Sequence, residues 1–131
     1  MPLTKTKRKR LTIRPRVKLW LESEEESVLC GGLCAMLRGV EETGSIKHAA
    51  ERVGRSYRFV WARIKEAEDA LGRQLVETHV GGRGSNRSKL TDLAVDLLRE
   101  FDDLRSEVYH LVDNVFTQRL NETLSRHQRS K

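Results

Sequence analysis

The stretch from Leu33 to Leu71 constrains this chain most, because apolar residues recur there at helical spacing and glycines interrupt the pattern twice. Leu33, Met36, Leu37 and Val40 step by 3, 1 and 3, which puts them on one face of a helix. Gly44 suits the left-handed position that ends such a helix. Ser45 then caps a second helix, predicted from Ile46 to Val53. Gly54 ends that one, and Ser56 caps a third, predicted from about Tyr57 to Leu71 with Val60, Ile64, Ala67 and Leu71 on its inner face. Ala50, Val53, Gly54, Val60 and Ile64 fall at separations of 3, 1, 6 and 4. A small Ala50 lets the helices cross closely, Gly54 supplies positive φ in the tight turn, and Val60 and Ile64 lock the pair. Such a pair with glycine in the turn is a helix-turn-helix unit. Arg55, just after the glycine, stands where an apolar residue is common.

If Val60 and Ile64 point inward, Tyr57, Arg58, Trp61, Ala62 and Lys65 point outward. Recognition helices present such residues to base edges in the major groove of DNA. Arg58 is placed for bidentate contact with guanine. Ser56 and Tyr57, like the cap Ser45, sit where helix N-termini attract phosphate. Trp61 reads either as partly packed or as a contact to a thymine methyl or sugar.

Leu75 to Val80 reads as a strand, Gly81 to Arg87 as a loop, and Ser88 to Leu90 as a short return strand. A hairpin there is the wing of a winged helix, with Arg83, Asn86, Arg87 and Lys89 available to the sugar-phosphate backbone. The glycines do not form a P-loop, because no G-x-x-x-x-G-K-[ST] occurs. Upstream, Val17 to Glu22 and Val28 to Cys30 flank an acidic turn and predict an N-terminal β-hairpin.

Thr91 caps a long final helix, predicted through about Leu124 and roughly 50 Å long. Ala94, Leu97, Phe101, Leu104, Val108, Leu111 and Val115 alternate steps of 3 and 4, an a/d seam that breaks at Gln118. Leu98 and Val112 widen the stripe, so its first turns can pack on the core instead. Leu97, Phe101, Leu104, Val108, Leu111 and Val115 are the candidate interface with a second copy, which would set two recognition helices about one DNA turn, or a multiple, apart.

Charge is segregated. Residues 1–20 carry eight basic side chains and no acid, residues 21–44 are net −5, residues 45–89 are net +5, and residues 91–131 are net −2. Clustered positive charge in an arm and a central block fits a phosphate-binding protein. Cys30 and Cys34, spaced C-x3-C with no nearby histidine, make neither a disulfide framework nor a zinc site, and Cys34 reads as a small apolar helix residue. His48, His79, His110 and His127 are scattered, and no paired acids or Cys–His arrangement suggests an enzyme, a metal or a cofactor. No apolar run reaches transmembrane length and no signal sequence is evident, so the expected location is the cytoplasm, at the nucleoid, with no membrane partner.

The strings Gly44-Ser45-Ile46, Ala49-Ala50, Ser56-Tyr57-Arg58, Trp61, Leu75-Val76-Glu77-Thr78, Gly81-Gly82-Arg83-Gly84 and Leu90-Thr91 together resemble the DNA-binding half of ModE-type molybdate-responsive regulators. The helix-turn-helix is also similar to that of LysR-type regulators, and Lys18 to Glu22 is similar to the family's opening strand. The resemblance spans roughly residues 14–115 and implies a dimeric, metabolism-linked transcription factor with Ser56, Tyr57, Arg58 and the Gly81–Gly84 wing at DNA. The sequence departs from the family at Ser85, Asn86 and Arg87, where glycines often continue. It also departs after Leu124, where no oxyanion-binding domain follows, so direct molybdate binding is not expected.

The expectation is therefore a mainly α fold with small β elements: a winged helix-turn-helix with an N-terminal β-hairpin and a long C-terminal dimerisation helix. Residues 1–13 would be a basic arm, 14–90 the DNA-binding domain, 91–124 the dimerisation helix and 125–131 a tail. The expected function is sequence-specific binding of double-stranded DNA by a homodimeric regulator. A winged-helix architectural protein and a protein-interaction adaptor are the alternatives.

Overall fold

The computed structural model describes residues 13–24, 26–29, 31–80 and 86–129, so the basic arm before residue 13, Cys30 and the wing tip at 81–85, Arg83 included, lie outside it. Two short strands come first, β1 (Leu21–Ser23) and β2 (Glu26–Leu29), paired antiparallel with Leu21 opposite Leu29. Glu24 turns the hairpin at φ +49°, a left-handed conformation taken here without glycine. The predicted strand from Val17 is cut to three residues. Its partner ends at Leu29 because Gly31 opens the first helix, leaving Lys18 to Trp20 nothing to pair with.

The three helices follow as read: α1 (Gly31–Thr43), α2 (Ile46–Val53) and α3 (Tyr57–Leu71). Local chemistry sets their ends. Gly44, at φ +73°, donates its N–H to the Val40 carbonyl at 2.8 Å. The Ser45 hydroxyl accepts from the His48 N–H at 3.1 Å and starts α2. Gly54, at φ +70°, lets the Arg55 N–H reach back to the Ala50 carbonyl at 3.0 Å. The Ser56 hydroxyl then accepts from the Phe59 N–H at 3.1 Å and starts α3. Gly39 of α1 lies close against Ala49 of α2, where a Cβ on Gly39 would lie 2.9 Å from the Ala49 Cβ. Ala50, the small residue expected where α2 and α3 cross, is buried next to it.

A second antiparallel hairpin, β3 (Val76–Val80) and β4 (Asn86–Leu90), pairs Val76 with Leu90 through Val80 with Asn86. β4 therefore starts two residues before the predicted Ser88, because the ladder with β3 continues to Asn86. The last helix, α4 (Asp92–Arg129), is 38 residues long and ends five residues beyond the predicted Leu124. At 1.5 Å per residue it spans about 57 Å. The Thr91 hydroxyl starts it, accepting from the Ala94 N–H at 3.2 Å while donating to the Gln74 carbonyl at 2.9 Å.

Residues Lys18–Arg105 form one compact unit. Its core joins Leu29 of β2, Leu33, Leu37 and Val40 of α1, Ala49 of α2, Val60, Ile64 and Ala67 of α3, Leu75, Leu90, and Ala94, Leu98 and Phe101 of α4. Each fully buried Leu, Val or Phe contributes roughly 1.5–3 kcal/mol. Cys34 is buried in this core, as its helical position suggested. Arg38 of α1 pairs with Asp102 of α4 at 2.5 Å, within the same unit. The seam reading needs one correction here. Phe101 is 2% exposed and belongs to the unit's own core, so it has no surface left for a second chain. Leu97 also packs against that core. Among the described residues the other unit comprises residues 13–17 and 106–129, and in it the Tyr109 hydroxyl donates to the Val17 carbonyl at 2.9 Å. No described helix is long and apolar enough to cross a membrane.

Candidate nucleic-acid interface

The inner face of α3 is fixed by Val60, Ile64 and Ala67, all buried. Rotation at 100° per residue then turns Tyr57, Arg58, Trp61, Ala62 and Lys65 outward, and all five are exposed. Arg58 forms no hydrogen bond or ion pair among the described residues. The neighbouring cations are engaged. Arg52 pairs with Glu42, Arg55 lies over the Phe59 ring at 4.4 Å, and Arg63 approaches Glu66 at 3.9 Å. Arg55, out of place by pattern, thus has an aromatic face to cover.

Lys65 is also partly occupied. Its ammonium lies 3.2 Å from Glu68 and 5.6 Å from the centre of the Trp61 ring. Trp61 remains half exposed beneath it, between the two readings its sequence position allowed. Glu68 is the functional-face residue that the sequence did not single out. It is only 7% exposed, and its Oε2 accepts the N–H groups of Leu75 at 2.8 Å and Val76 at 3.1 Å. The carboxylate therefore ties the end of α3 to the start of β3.

The hairpin has two distinct faces. Thr78 stands directly opposite Ser88, with Val76 and Leu90 next on the same face; Val76, Ser88 and Leu90 turn inward while Thr78 stays exposed. His79 opposite Arg87 and Glu77 opposite Lys89 occupy the outer face, all four exposed. Of the wing cations, Arg87 and Lys89 are thus on the outer side, Arg83 lies outside the described residues, and the side chain of Asn86 does too. The Ser88 N–H donates to the Gly44 carbonyl at 2.9 Å, pinning β4 to the turn between α1 and α2. Between these elements lies a cleft of about 450 Å³ lined by Ser45, Ile46, Lys47, Tyr57, Thr78 and Ser88. Ser45 and Tyr57 were read from sequence; Lys47, Thr78 and Ser88 were not, because the β3–β4 register pairs Thr78 with Ser88 and the Ser88–Gly44 bond sets them beside α2. Ser56, though exposed, has its hydroxyl oxygen committed to the cap.

Along α4 the expected interface residues divide. Leu97 and Phe101 face the core, whereas Leu104, Leu111 and Val115 are exposed and Val108 is half-buried. Among the described residues no group of three or more His, Cys, Asp or Glu side chains is placed to hold a metal.

Residues 34–94 match the family of bacterial regulatory helix-turn-helix proteins of the lysR type. The chain is 37% identical over 71 residues to the molybdenum transport protein ModE of Herbaspirillum seropedicae, covering 54% of this chain and 26% of that protein. It is 32% identical over 68 residues to the transcriptional regulator ModE of Yersinia pestis, covering 52% of this chain and 26% of that one. It thus spans about a quarter of the length of these relatives. Among solved structures, the BenM DNA-binding domain in complex with benA site 1 DNA is 27% identical, with a TM-score of 0.48, covering 69% of this chain and 92% of that one. The helices, caps and wing described above thus build a winged helix-turn-helix domain of the LysR type, in a chain whose homologues include the ModE proteins.

Proposed function

We propose that this protein is a sequence-specific, double-stranded DNA-binding transcriptional regulator that acts as a homodimer. The observation that carries the reading is the outward face of α3, where Arg58 stands exposed and uncommitted in the first turns, flanked by Tyr57, Trp61 and Ala62. An unengaged guanidinium there is free to make the paired hydrogen bonds that guanine offers in the major groove. Lys65 joins it by leaving Glu68 for DNA. Arg83, Asn86, Arg87 and Lys89 hold the sugar-phosphate backbone, and the arm before residue 13 adds affinity without sequence preference. Residues 14–90 make up the DNA-binding domain and 91–124 the dimerisation helix. Regulation as the outcome of binding draws support from the relatives named as transcriptional regulators.

The dimer draws support from α4. Leu111 is 64% exposed, and Leu104 and Val115 continue the same 3–4 stripe beyond the residues the core uses. A second copy of this helix covers such a stripe, and a two-fold pair sets two copies of α3 against one side of a duplex. The test is selection of bound sequences from random duplexes. A defined, inverted-repeat preference is expected for the wild type, with one base position relaxed in Arg58→Ala. An unchanged preference in that variant removes Arg58 from the reading. Binding with no preference at all refutes the specific-regulator assignment in favour of an architectural protein.

A further inference from the structure

Glu68 is fixed in place, and the cation it holds is not. The Glu68 side chain is 7% exposed, and its Oε2 accepts the N–H groups of Leu75 and Val76. A carboxylate tied to two backbone donors cannot swing away without leaving both unsatisfied. Its other oxygen, Oε1, lies 3.2 Å from the Lys65 ammonium, one turn earlier on α3. Lys65 is the cation paired with this carboxylate among the described residues. Its side chain is 46% exposed and has a flexible stem, so it is the partner that moves. The Trp61 ring, a further turn back, lies 5.6 Å from the same ammonium and gives it a second resting contact.

Arg58 and Lys65 share the outward face of α3, but they are not equally available. Arg58 has no ion pair among the described residues, whereas Lys65 has one. A duplex laid on this face meets one cation that is ready and one that has to be released first. We propose that Glu68 sets the affinity for DNA by competing with the duplex for Lys65, a reading that rests on the DNA-binding function proposed above. When Lys65 leaves, the Glu68 carboxylate keeps both amide donors, so the start of β3 stays in place and the ion pair alone is lost. That cost arises inside the protein and is the same on every duplex. Glu68 therefore lowers affinity uniformly and leaves base preference to the groups that touch base edges.

The test uses the full chain and fluorescence anisotropy at one salt concentration, with a duplex selected by the wild type and an unrelated one. Glu68→Gln keeps an oxygen for the two amides and removes the charge that holds Lys65. It is expected to bind both duplexes about two- to fivefold more tightly than the wild type, the range a partly exposed ion pair is worth. A purely structural role for Glu68 predicts the opposite sign, since a loosened hairpin weakens binding. In a Lys65→Ala background the same substitution is expected to give no gain. Equal or weaker binding by Glu68→Gln overturns the competition and leaves the DNA reading standing. An undiminished gain in the Lys65→Ala background also overturns it, because the gain then comes from removing a negative charge near phosphates and not from releasing Lys65. Absence of DNA binding by the wild type overturns both readings. A second arm needs no Glu68 variant and follows the Glu68 carboxyl carbon resonance as the selected duplex is added. A shift in the wild type that is absent in Lys65→Ala is expected. An unchanged resonance in the DNA-bound wild type shows that Lys65 keeps its partner, and overturns the proposal.

Discussion

Replacing Glu68 with alanine is expected to destabilise the domain severely although the residue is charged and sits on a helix. Its Oε2 satisfies two backbone donors, those of Leu75 and Val76, at 2.8 and 3.1 Å, from a side chain that is 7% exposed. Each buried donor left without an acceptor costs about 1–3 kcal/mol, so the pair accounts for roughly 2–6 kcal/mol. That is a large share of the ~5–15 kcal/mol that holds a typical domain together. The Lys65 ion pair adds little, since the lysine is nearly half exposed. Glu68→Gln separates the two contributions. Its amide oxygen can still accept from both N–H groups, while its NH₂ faces the Lys65 ammonium donor to donor, for a loss of about 1–2 kcal/mol. Urea denaturation of the full chain at one fixed concentration measures both variants, since self-association would make stability depend on concentration. A Glu68→Ala loss below about 1 kcal/mol would refute the reasoning, since it would mean that water reaches the Leu75 and Val76 amides.

Gly39→Ala is expected to destabilise by about 1 kcal/mol in the same assay, the midpoint of an overpacking cost of about 1–3 kcal/mol less a helix-propensity gain of about 1. The added Cβ meets the Ala49 Cβ at 2.9 Å and its Cα at 3.0 Å, and the backbone atom cannot rotate away; a more stable variant would show that α1 and α2 separate easily. If the proposed pairing through α4 holds, the wild type sediments as a dimer and Leu111→Asp is expected to sediment as a monomer with helix content intact; a dimer unchanged by the substitution would move the interface elsewhere. Phe101→Ala is expected to cost about 3–5 kcal/mol of domain stability, because the side chain fills the core; a purely dimerisation-linked defect would contradict its placement. Arg87→Ala is expected to weaken binding to all duplexes alike and lower the salt slope by about one; an unaltered slope would exclude its backbone contact.

The helix-turn-helix was legible because caps are local chemistry. Gly44-Ser45 and Gly54 with Ser56 mark four helix ends within a few residues of where their hydrogen bonds form. What depends on distant partners was not legible. A 3–4 stripe looks the same whether it meets its own core or a second chain, which is why Phe101 read as seam while Leu98 and Ala94 beside it are core too. Gly39 was not singled out, because its close contact with Ala49 is made between two helices and no local spacing marks it. Glu68 looked like one more surface acid, because the amides it accepts lie seven and eight residues further on, across the end of the helix. The wing was visible as glycines and cations, yet its division into an outer Arg87–Lys89 face and an inner Ser88–Leu90 face follows only from strand register.

Chemical interference on a selected duplex tests the placement of α3 most directly. Dimethyl sulfate methylates guanine N7 in the major groove and adenine N3 in the minor groove, so one reagent probes both. With Arg58 at a guanine edge, N7 methylation within each half-site is expected to abolish binding, and Arg58→Ala is expected to lose sensitivity at one guanine. Interference confined to adenine N3, or none at any guanine of the bound site, would contradict a recognition helix in the major groove.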